Sequence, residues 1–133
     1  MKSAIKVLGV PDDINSSFMR GSSAAPPLIR EALYSASSNL FSESGLNLDQ
    51  EGVWDDLGDI EFTGEVAVEN FKKIKTFVKD VLVSDQKLVS LGGDHSVSWP
   101  ILDAHLDIWG TLDILHIDAH PDLYDSLLGN KLS

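Results

Sequence analysis

Two short clusters hold the side chains best suited to chemistry. Gly92-Gly93-Asp94-His95-Ser96 sets an imidazole behind two glycines, and Asp118-Ala119-His120-Pro121-Asp122 alternates carboxylate, imidazole and carboxylate. If the second cluster is extended, Asp118, His120 and Asp122 project to one face. Three such groups within about 14 Å of chain are costly unless something positive sits among them. A divalent cation meets that need. Mixed carboxylate and imidazole donors suit Mn, Fe, Co, Ni or Zn better than Ca or a soft metal. The plainer alternative is a solvated acidic turn after an edge strand. In the first cluster the glycines permit close backbone approach, and Asp94 or Ser96 is placed to cap a following helix. Its plainer alternative is a glycine-rich turn with an incidental histidine. His95, Asp118, His120 and Asp122 together suffice for one ion, but two ions of octahedral type need more donors.

Both clusters must be positioned by strand ends, and the surrounding pattern supplies them. Residues 4–10 are apolar and β-branched, stopped by Pro11, and read as a first strand. Pro26-Pro27 opens a helix over 26–35, with Ile29, Leu33 and Ala36 expected on its buried face. Residues 37–52 are polar and irregular, and 53–60 form a short strand candidate. Between 65 and 84, Val68, Phe71, Ile74, Phe77, Val78, Val81 and Leu82 recur at helical spacing. Residues 87–91 read as a strand running into Gly92, 96–108 as a helix, and 111–117 as a further strand running into Asp118. Apolar strands alternating with helices indicate a parallel sheet covered on both faces. Ligands bind such sheets at the carboxyl ends of the strands, where both clusters fall.

The totals narrow the classes. The chain has 133 residues, consistent with one domain, and its 43% hydrophobic content supports a folded core. A net charge of −11 disfavours nucleic acid and anionic lipid as partners and favours cations. The absence of cysteine removes disulfides, thiolate chemistry and cysteine-based zinc sites. No apolar run approaches the ~20 residues of a membrane span, and the first ten residues lack the layout of a signal peptide. A cytoplasmic protein is expected, with an organellar location left open.

The two clusters, in this order and separation, resemble the paired signatures of the ureohydrolases, the family of arginase and agmatinase. Arg20-Gly21 through Pro26-Pro27-Leu28-Ile29-Arg30 is similar to that family's early loop and the helix after it. The stretch with Tyr124-Asp125 and Gly129-Asn130-Lys131 looks most like plant and microbial members. The resemblance implies a three-layer α/β fold with a parallel sheet, incomplete in this chain, and a site for two metal ions, usually Mn²⁺, with Ni²⁺ or Zn²⁺ as alternatives. It implies that His95 and Asp122 bind the first ion, His120 the second, and Asp118 bridges them, with Asp122 also orienting the nucleophile. A hydroxide between the ions would attack the guanidinium carbon of arginine or agmatine and release urea. Asp94 would support the ligands or cap the helix, and His116, of the same parity as Asp118, would stand beside them in a structural role.

The family's later Asp-x-Asp ligands and its further histidine have no match after Asp122. Residues 1–133 are therefore expected to be the N-terminal part of a single ureohydrolase domain, carrying half of the site and an unpaired sheet edge. The full-length family forms homo-oligomers. The alternative is an inactive fragment acting as a weak metal-binding or interaction module. His105 is expected at a surface or boundary, Trp54, Trp99 and Trp109 in packing, and Asp55, Asp56 and Asp59 in a solvated loop.

Overall fold

The computed structural model describes residues 5–132; Ala4, the first residue of the expected N-terminal strand, lies outside them. Three parallel strands, β1 (Ile5–Val10), β2 (Asp55–Asp59) and β3 (Lys87–Gly92), pair in the order β2-β1-β3. Three helices follow them: α1 (Ala25–Leu33), α2 (Ala67–Leu82) and α3 (Ser98–Trp109). Among the described residues, none of the helices is long and apolar enough to cross a membrane.

Side-chain alternation along β1 separates the layers. Leu8 and Val10 point to one face and join Ile74, Val78 and Leu82 of α2 and Ala104 of α3 in the core. Gly9 points to the other face, where a β-carbon would come within 3.0 Å of Pro26 in α1. The sheet is thus sandwiched between α1 on one side and α2 with α3 on the other, the three-layer α/β arrangement that the alternating pattern implies.

Helix faces depart in detail from the periodicity. The inward residue of α1 is Pro26, with Arg30 and Leu33 half-buried on the same side, whereas Ile29 and Ala36 are exposed. Arg30 takes that position because it reaches across to β2. Its guanidinium donates to both oxygens of Asp56, at 2.6 and 2.8 Å, to the Gly58 carbonyl at 3.0 Å, and to Asp59. Lys6 pairs with Asp55. The three aspartates expected in a solvated loop are instead the charged border of β2, each held by a cation. In α2 the buried stripe is Asn70, Ile74, Val78 and Leu82, four residues apart, while Val68 and Phe77 face solvent. A helix pressed onto one surface buries a narrow stripe, and the apolar set here is wider than that stripe.

One expectation fails outright and another in part. Residues 111–117 form no strand, and Ile114, Leu115 and Ile117 are exposed. Apolar alternation makes a strand only where a neighbouring backbone completes the ladder, and no described residue supplies one there. Trp99 and Trp109 are more than half exposed on α3, although Trp54 is partly covered and donates to the Leu48 carbonyl at 2.8 Å. His105 sits at a boundary, its Nδ1 2.8 Å from the Ile101 carbonyl.

Candidate metal centre

The carboxyl ends of β1 and β3 are tied together before any functional side chain is placed. The Gly93 amide donates to the Val10 carbonyl at 3.0 Å, and the Asp94 amide donates to the Asp12 carbonyl at 2.9 Å. A β-carbon on Gly93 would lie 2.0 Å from that Asp12 carbonyl oxygen, so only glycine permits this approach. Asp12 is itself buried and accepts from Asn70 of α2 at 3.0 Å. This buried pair links the helix layer to the strand ends.

Asp94 then fixes the turn that carries His95. Its carboxylate accepts from the Ser96 amide at 2.8 Å, capping the short 3-10 turn His95–Val97 that leads into α3. The same carboxylate accepts from the Asn15 amide at 3.1 Å and the Ser16 hydroxyl at 3.4 Å. Asp94 is thereby occupied in holding the turn, which leaves His95 half-exposed at the sheet's mouth.

The second cluster does not stay extended. The Asp118 carboxylate accepts from the His120 amide at 3.0 Å, which bends the backbone, and Asp122 adopts φ +49°, in the left-handed region. The bend turns His120 outward, to 80% side-chain exposure, with its Nδ1 3.8 Å from Asp118. Asp122 returns toward the first cluster, its Oδ2 2.6 Å from His95 Nδ1. His116 closes the group, its ring centroid 5.4 Å from that of His95. One donor atom from each of His95, His116 and Asp122 lies within 4.8 Å of the others. Asp118 stands beside this group, 4.0 Å from His116 Nε2. Its pKa is lowered, first by the His120 amide, then against burial by the nearby His116, the Ala119 amide and His95, so it is held as an anion.

Two imidazoles and a carboxylate converging in this way fit a first-row divalent ion, with coordination positions left for water or substrate. The donor set passes that chemical test for one ion. The structure brings His116 into the group that sequence reasoning had given only a supporting place, and sets His120 apart from it. It also adds the loop after β1. Asn15 is 7% exposed and donates to Ser96 Oγ at 3.2 Å, so this loop forms one wall of an open cleft of about 310 Å³ whose other wall includes His95. The signal for it was positional: Asp12-Asp13-Ile14-Asn15 leaves β1 at the same sheet edge as both clusters.

A family model described as the arginase family matches residues 3–133. The mitochondrial arginase 1 of Oryza sativa subsp. indica is 41% identical over 140 residues, covering 100% of this chain and 41% of its own length. An agmatinase of Halalkalibacterium halodurans is 36% identical over 134 residues, covering 99% of this chain and 45% of its own. Among solved structures, the arginase from Medicago truncatula superposes with a TM-score of 0.87 at 38% identity, over 98% of this chain and 43% of that one. The chain spans less than half the length of these relatives.

Proposed function

The chain belongs to the arginase family, and from that premise we propose that it carries part of the site of a metal-dependent hydrolase that releases urea from a guanidino compound, arginine or agmatine. The observation that supports this reading most is the convergence of His95, His116 and Asp122 at the carboxyl end of the sheet, with anionic Asp118 alongside. His95 and Asp122 would hold a first Mn²⁺ ion, and Asp118 would extend toward a second at His120. Ni²⁺ or Zn²⁺ suits the same donors. When bound, such ions supply Lewis acidity and make water an effective nucleophile near neutral pH.

The residues of this chain contribute orientation and attraction of substrate. Asp122 orients the attacking water through the carboxylate oxygen not engaged by His95. The acidic surface, with its net charge of −11, draws in a cationic guanidinium. The water oxygen adds to the guanidinium carbon, and the bond from that carbon to the alkyl-bearing nitrogen breaks. Both protons of the water pass to the departing nitrogen, which leaves as an alkylammonium, and the water oxygen becomes the carbonyl of urea. Asp94 and Asn15 keep His95 in place throughout by fixing the turn it rides on.

A second reading has its own support: the three converging donors suit one ion, which fits a module that binds metal without turnover. Elemental analysis after Mn²⁺ loading, with urea release from arginine and agmatine assayed on the same sample, separates the two. The hydrolase reading expects two ions and urea where the family's later ligands are also supplied, and one ion or none, without urea, from residues 1–133 alone. One ion without urea in the completed chain as well would establish the binding module in its place.

A further inference from the structure

We propose that Phe18 and Met19 form a specificity rim that contacts the aliphatic stem of the substrate beyond its guanidino head; the proposal rests on the hydrolase reading above. The loop that carries them is anchored at both ends. At one end, buried Asn15 donates to Asp94 at 3.1 Å and to Ser96 at 3.2 Å, the residues on either side of His95. At the other, Asp13 accepts from the Gly21 amide at 2.6 Å and from Arg20 Nε at 3.1 Å. Between these anchors Phe18 is 88% and Met19 71% exposed, and both line the cleft that His95 borders. Two large apolar side chains are thus held in water, on a pinned loop, beside the metal-binding group.

An alkylguanidinium matches this layout. Its cationic head belongs at the imidazole and carboxylate cluster, and its apolar stem then runs along the cleft wall. A phenyl ring offers a stiff apolar surface, and a thioether adapts to the stem's shape. The cleft, about 310 Å³, is of a size that takes a small ligand. Among the described residues its lining includes no lysine or arginine, so none of them competes with the cationic head for position.

The test is a homologous series. Guanidinium, methylguanidine, propylguanidine and pentylguanidine are titrated calorimetrically into the Mn²⁺-loaded chain, as wild type, Phe18→Ala, Met19→Ala and Phe18→Leu, with the fold of each checked by circular dichroism. Wild-type affinity is expected to rise roughly two- to fourfold per methylene. Phe18→Ala should flatten that rise while leaving guanidinium binding unchanged, and Phe18→Leu should restore most of it. Guanidinium binding with no dependence on stem length, or a dependence that survives both alanine variants, overturns the rim and leaves the hydrolase reading standing. Failure to bind guanidinium at all overturns the hydrolase reading and the rim with it.

Discussion

Asp13 shows how a single buried carboxylate is stabilised at the end of β1. It is almost wholly enclosed, yet it accepts from the Gly21 and Ser23 amides at 2.6 and 3.2 Å and from Arg20. The Gly21 amide is the main cause of a pKa lowered to about 2; burial opposes it, and Ser23 and Arg20 add to it. The folded pKa lies below the unfolded value of 3.8, so the stabilisation is complete above about pH 4 and is lost as the pH falls toward 2. A shift of this size corresponds to about 2 kcal/mol. Asp13→Asn should therefore lower stability at pH 7 by about that amount and lose less on acidification. Urea denaturation of both proteins at pH 7 and pH 3 measures it. An equal loss in the two would place the acid sensitivity elsewhere.

Elements here are held at short range by two glycines, each meeting a different neighbour. A β-carbon on Gly9 would lie 1.8 Å from Asp59 Oδ1, a flexible side-chain atom, and 3.0 Å from Pro26. On Gly93 it would lie 2.0 Å from the backbone oxygen of Asp12. Backbone cannot step aside as a carboxylate can, so Gly93→Ala should cost more than Gly9→Ala. Overpacking of this kind typically costs about 1–3 kcal/mol, and Gly93→Ala is expected at or beyond the upper end. Gly93→Ala should also weaken Mn²⁺ binding, because the turn carrying His95 hangs from that contact. Thermal melts with parallel metal titrations test both points. Equal destabilisation by the two variants would show that the β1–β3 junction yields more readily than its geometry implies.

Across the whole molecule, the two borders of the sheet differ. β2 carries Asp55, Asp56 and Asp59, a charged edge that discourages pairing with another chain. β3 has no partner on its outer side among the described residues, and Val89 there is 48% exposed. Leu115 and Ile117, 87% and 89% exposed, add unsatisfied apolar surface. The 133-residue chain should associate with increasing concentration, and Val89→Lys with Ile117→Lys should suppress it. Sedimentation velocity across a concentration series decides this; a wild-type chain monomeric throughout would mean that the edge is already masked.

Much of this architecture was legible in residue order. Strands β1, β2 and β3, helices α1 to α3, and the placing of the first chemical cluster at the end of β3 follow from local periodicity, prolines and glycine pairs, because those signals act within a few residues. Family membership was legible too, since the two clusters and their separation are linear features. What tertiary structure decided concerns partners distant in the chain. Arg30 is half-buried because Asp56 and Asp59 lie across from it, and residues 111–117 are unpaired because a strand needs a neighbour that no local pattern can supply. His116 meets His95 and Asp122 because the turn at Asp118 and the left-handed Asp122 fold the second cluster back on the first. Periodicity assigns a side chain to a face; only the path of the backbone determines which other side chains share it.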